Sequence, residues 1–115
     1  MSRSVAERKA HEAAKLYLEM RGYSIIEQNW RRSRVTIDIV AKKDDTVYLV
    51  SVHYAPNAND SSHPVELMTK SKLDQRLHAQ EVWLEEEKWH GRIQLASIEI
   101  TDPNFAVLSF SDSLS

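Results

Sequence analysis

Cysteine is absent from the 115 residues, and glycine and proline occur only two and three times. Without cysteine there is no disulfide framework, no thiolate metal site and no thiol nucleophile, which fits a reducing interior. No apolar run approaches membrane-spanning length. The first residues, "MSRSVAERKAHEAAK", are charged from Arg3 onward and lack the apolar stretch of a signal peptide. The expected location is therefore the cytoplasm, with no membrane partner. A strong basic excess is missing too: the formal net charge is −2, which is not the bulk signature of a nucleic-acid binder.

What is present describes an ordinary globular chain, 42% hydrophobic and 28% charged, of a length that supports one core and one domain over residues 1–115. The charge is uneven. Arg3, Arg8, Lys9, Lys15, Arg21, Arg31, Arg32 and Arg34 outnumber the acids Glu7, Glu12, Glu19 and Glu27 in the first part of the chain. Residues 99–115 hold acids and no base. The basic excess reads either as solvated helix faces or as a patch able to bind phosphate in a salt-sensitive way.

Ser4 and Glu7 have capping-box spacing and start a helix whose apolar stripe is Ala10, Ala13, Ala14, Tyr17, Leu18 and Met20, with Gly22 stopping it. His11 falls on that stripe. "YSIIEQNW" is β-rich, and "RVTIDIVA" and "TVYLVSVHY" make a hairpin about Lys42–Asp45. Ala55 to Pro64 is a turn-rich loop suited to function. Residues 65–88 are helical, with Leu67, Leu73, Leu77, Val82, Trp83 and Leu84 as buried positions. The acidic run Glu85-Glu86-Glu87 opposes the helix dipole, so this end is expected to fray. "RIQLASIEI" and "FAVLSF" are two further strands. The order αβββαββ predicts an α/β domain with a mixed sheet and a helix on either side.

Strand alternation puts Thr36 with Asp38 on one face and Ser51 with His53 on one face of the next strand. The hairpin would set the two pairs side by side, and the first helix could bring His11 to them. An acid such as Asp38 in an apolar strand costs several kcal/mol unless it is paired or binds a cation. Ser51 and His53 do not make a nucleophilic relay, because residues two apart on one strand lack the required hydrogen-bond geometry.

The strings "HEAAKLYLEMRGYSIIEQNW", "VTIDIVAKKDDTVYLVSVHY", "HPVELMTKSKLDQRL" and "GRIQLASIEI" resemble the YraN family, small bacterial proteins with a restriction-endonuclease-like, PD-(D/E)xK-type core. The resemblance runs over nearly the whole chain and implies that fold. It also implies a catalytic pattern of a helix-one Glu, a G-E-I-D strand and an E-V-K strand. Asp38 keeps the Asp. The helix-one Glu falls on His11, next to Glu12; the Gly-Glu falls on Val35 and Thr36; the Glu and Lys of E-V-K fall on Ser51 and His53. Only one of the expected carboxylates remains, so octahedral Mg²⁺ is expected to bind weakly or not at all.

The leading expectation is a degenerate nuclease that binds DNA or RNA through Arg31, Arg32, Arg34, Lys70, Lys72 and Arg76 without efficient cleavage and without a cofactor. One alternative is an endonuclease with a remodelled site in which His11, Asp38 and His53 hold zinc, manganese or iron(II). In the bland version of that set, the two histidines only satisfy Asp38 by hydrogen bonding. The other alternative is a protein-interaction module that retains only the fold, pairing with a protein partner or a second copy. Trp30 reads as core or as a base-stacking surface beside the arginines.

Overall fold

A computed structural model of the chain describes residues 5–32, 34–54, 70–102, 104–105 and 108–111, with the side chains of residues 70–72 excepted. The elements are α1 (Val5–Met20), β1 (Ser24–Arg32), β2 (Val35–Lys43), β3 (Thr46–Tyr54), α2 (Lys70–Glu87), β4 (Arg92–Ile100) and β5 (Leu108–Ser111). The order is the one predicted from periodicity. The Ser4 cap, the 55–64 loop, the 65–69 start of the second helix and Leu67 lie outside the described residues.

The strands form one five-stranded sheet in the order β1-β2-β3-β4-β5. β3 and β4 run parallel, and the other neighbours are antiparallel. A parallel pair needs a crossover, and α2 lies within it. The β2–β3 turn is tighter than expected, only Asp44 and Asp45, with Asp44 at φ 57°. A two-residue hairpin loop asks for such positive φ, which Asp tolerates.

The two helices cover opposite faces. On one, Ala10, Ala14 and Leu18 of α1 pack against Ile39, Ala41, Val50, Ala96, Ile98 and Ile100. The alanines bring the helix backbone close to the sheet. On the other, Ala79 and Trp83 of α2 meet Trp30, Val35, Ile37, Val40, Val47, Leu49 and Leu95. Trp30, 1% exposed, is core rather than a stacking surface. Gly22 ends α1 at φ 92°, with Tyr23 N–H donating to the Leu18 carbonyl and Gly22 N–H to that of Glu19. These two bonds, with Leu18 and Tyr23 in the same cluster, make a Schellman cap.

The expected fraying of α2 is not observed. The helix continues to Glu87, whose Oε2 accepts a 3.3 Å bond from Trp30 Nε1, while Glu86 pairs with Arg32 at 3.5 Å. Contacts to β1 replace what the dipole disfavours. Among the described residues no helix is long and apolar enough to cross a membrane.

Candidate functional site

The alternation of β2 slips at Asp38. Ile37 belongs to the α2-side cluster and Ile39 to the α1-side cluster, although both are odd-numbered positions of one strand. The partner strand slips at the same level. Gln28 pairs with Ile39 and Trp30 with Ile37, and Asn29 between them has φ 54°. A non-glycine residue at positive φ inside a strand is uncommon, and Asn is among the types that tolerate it. The strict alternation assumed for Thr36 and Asp38 is therefore broken at the acid itself.

The β2–β3 ladder runs from Lys43↔Thr46 to Ile39↔Val50. Where it ends, Asp38 Oδ2 accepts a 2.8 Å hydrogen bond from Val52 N–H. The carboxylate thus bridges the diverging strands by taking an amide that the ladder leaves over. This is one answer to how an acid can sit in an apolar hairpin: a charged acceptor on a backbone N–H is a strong bond.

A positive charge comes near from α2, without pairing directly with the acid. Arg76 Nη2 donates to the Ala96 carbonyl of β4 and, at 3.5 Å, to the Leu49 carbonyl of β3. Burial pulls the guanidinium below its usual pKa, and the nearby Asp38 carboxylate acts in the opposite direction by attraction. Arg76 was expected on an outward basic row with Lys70 and Lys72; instead it turns in to the sheet. The side chains of Lys70 and Lys72 are outside the described set.

A cavity of about 430 Å³ lies between α2 and the sheet at this point. Its floor includes Ile37, Leu49 and Leu95, and Arg34, Ser51, Gln75, Arg76 and His78 also line it. No acidic residue lines it among the described residues. Arg34 sits at the β1–β2 connection with φ 68°. Ser51 shares its face with Leu49 by alternation along β3, toward α2.

The remaining expected site residues are dispersed. His11 is 8% exposed on the α1 stripe between Ala10 and Ala14. His53 is exposed, and alternation places it on the Ser51 side, away from the face that α1 covers. His11 and His53 are thus on opposite sides of the sheet. No three His, Asp or Glu side chains among the described residues are grouped so as to hold a metal ion. Glu12 is exposed and faces Lys15 at 3.9 Å. Arg31 and Arg32 are consecutive in β1, not in a loop, so they point to opposite faces. Arg32 lies on the Trp30 side, 5.6 Å from that ring, beside Glu86. Arg31 and Arg34 are exposed.

The mixed five-stranded sheet between two helices, with an acid at the parting of β2 and β3, defines a small α/β protein with a restriction-endonuclease-like core. The chain belongs to the uncharacterised protein family UPF0102, the YraN family, whose model matches residues 10–100. A UPF0102 protein of Cytophaga hutchinsonii is 31% identical over 91 residues, covering 79% of this chain and 80% of the relative. A UPF0102 protein of Vibrio parahaemolyticus is 28% identical over 100 residues, covering 87% and 75%. A third, from Treponema pallidum, reaches 53% identity over 36 residues, covering 31% and 29%.

Proposed function

We propose that this protein binds nucleic acid and does not cleave it efficiently with a divalent metal. The observation that carries the reading is Arg76 beside Asp38. A guanidinium anchored on two strand carbonyls supplies a positive charge that acts on the carboxylate without pairing with it, in the region where a nuclease of this fold would use a metal ion. The donor set supports the same view. Mg²⁺ needs several hard oxygen ligands in a near-octahedral set, and Asp38 already spends one oxygen on Val52 N–H. Ser51 is a neutral, weak ligand, and the two histidines lie on opposite faces. What is left in the cavity suits an anion: two arginines, the hydroxyl residues Thr36 and Ser51, an amide and an imidazole.

The test is fluorescence anisotropy with labelled duplex, branched and single-stranded DNA and RNA in EDTA, over a range of salt. Binding that weakens steeply and linearly on a log–log plot supports the reading. No binding to any of them at low salt refutes it. The interaction-module reading draws on Leu16 and Met20, one helical turn apart and 51% and 85% exposed. Sedimentation of the parent and of Leu16→Glu distinguishes it: a dimer that the substitution dissociates would favour self-association as the role of α1.

A further inference from the structure

We propose that the α2 cavity is a metal-independent site for a phosphate monoester, with Arg76 as its fixed cation and Arg34 and Ser51 as the groups that engage the phosphate oxygens. The inference rests on the nucleic-acid reading for its preferred ligand, the terminal phosphate of a strand. Its chemistry, however, can be tested apart from that reading.

Size comes first. A cavity of about 430 Å³ falls in the range of small-molecule sites, roughly 300–1,000 Å³. It has room for one nucleotide-sized unit and none for a duplex, so it cannot track a continuous backbone. A nucleic acid reaches it only by an end or by an unstacked nucleotide.

Charge is the second point. A phosphate monoester carries about −1.5 to −2 at neutral pH, against −1 for an internal diester. Arg34 and Arg76 bring two positive charges to a lining that contains no acid among the described residues. Asp38 tempers Arg76 but does not line the cavity and is engaged by Val52 N–H.

Hydrogen bonding is the third. Nη2 of Arg76 is fixed by the carbonyls of Ala96 and Leu49, while its Nη1 is buried and has no hydrogen-bond partner among the described residues. A buried, unsatisfied donor on a charged group calls for a ligand or an ordered solvent molecule. Because the guanidinium is already held in place, little side-chain freedom is lost when an anion arrives. Ser51 adds a hydroxyl on the same face of β3, and Gln75 and His78 stand at the helix wall.

The experiment is an anisotropy competition in EDTA. It uses one single-stranded oligonucleotide with a 5′-phosphate, a 3′-phosphate or hydroxyl ends, and a nucleoside monophosphate against its nucleoside as free competitors. A tenfold or greater preference for a phosphorylated end over hydroxyl ends supports the proposal, as does competition by the monophosphate but not the nucleoside. The first result names the strand end as the source and the second the free nucleotide. Arg34→Ala, an exposed position that should leave the fold intact, is expected to reduce the preference to less than threefold, and Arg76→Lys, which keeps the charge of the half-buried cation but not its guanidinium donors, is expected to reduce it as well. Equal affinity for phosphorylated and hydroxyl ends, with no effect of the monophosphate, overturns the proposal and leaves nucleic-acid binding standing. If no oligonucleotide binds but the monophosphate still raises the melting temperature, the nucleic-acid reading falls and the phosphate site survives.

Discussion

Replacing Asp38 by Ala removes two things at once: the acceptor for Val52 N–H at 2.8 Å, and the negative charge beside Arg76. A hydrogen bond to a charged acceptor contributes about 1.5–3 kcal/mol. Arg76 is half-buried and makes no direct ion pair with Asp38, so the attraction lost is screened and adds at most about 1 kcal/mol. The sum is a destabilisation of about 1.5–4 kcal/mol, or a fall in melting temperature of roughly 6–16 °C for a domain of this size. Asp38→Asn keeps an oxygen for Val52 N–H and loses only the charge, so it should cost about half as much. Urea unfolding followed by circular dichroism, with melting curves in parallel, measures both. An Asp38→Ala protein within about 0.5 kcal/mol of the parent would behave as an ordinary surface substitution. That result would refute the bridging role given to Asp38.

Glu86→Ala releases Arg32 from its 3.5 Å pair; stability should change by less than about 1 kcal/mol, since such pairs are weak. Oligonucleotide affinity should rise about two- to threefold at low salt and converge with the parent at high salt, read by anisotropy. Asn29→Val forces a β-branched residue to φ 54° in mid-strand and should cost about 1–3 kcal/mol in urea unfolding. Asn29→Gly should cost less. In Gly22→Ala the new Cβ meets only Lys43 Cε at 3.7 Å, an ordinary contact, so only the φ of 92° opposes it. About 1–2 kcal/mol should be lost, whereas an unchanged melting temperature would argue against the Schellman cap.

Periodicity made the element order and the two-faced sheet legible, because α1, β2 and β3 carry strong apolar patterns with few interruptions. The slip at Asp38 was not legible. It depends on Asn29 adopting positive φ, and "EQNW" reads like any polar stretch of an edge strand. Arg76 looked like one of a row of helical bases with Lys70 and Lys72. Its inward turn is set by carbonyls of Leu49 and Ala96, offered where β3 and β4 run parallel. Spacing within a helix carries no record of that pairing. The distance between His11 and His53 was hidden for a similar reason. Each lies on a definite face of its own element, but nothing in the spacing says which helix covers which face of the sheet. Glu86 and Glu87 show the reverse case, in which contacts with Arg32 and Trp30 outweigh a local rule about helix ends.

Binding without efficient metal-dependent cleavage can be read on one end-labelled branched DNA. It is incubated with excess protein in EDTA, in Mg²⁺ and in Mn²⁺, and each sample is divided between a native and a denaturing gel. A shifted complex and full-length strands are expected in all three. Cut strands in Mg²⁺ or Mn²⁺ that disappear in EDTA and in Asp38→Ala would contradict that expectation.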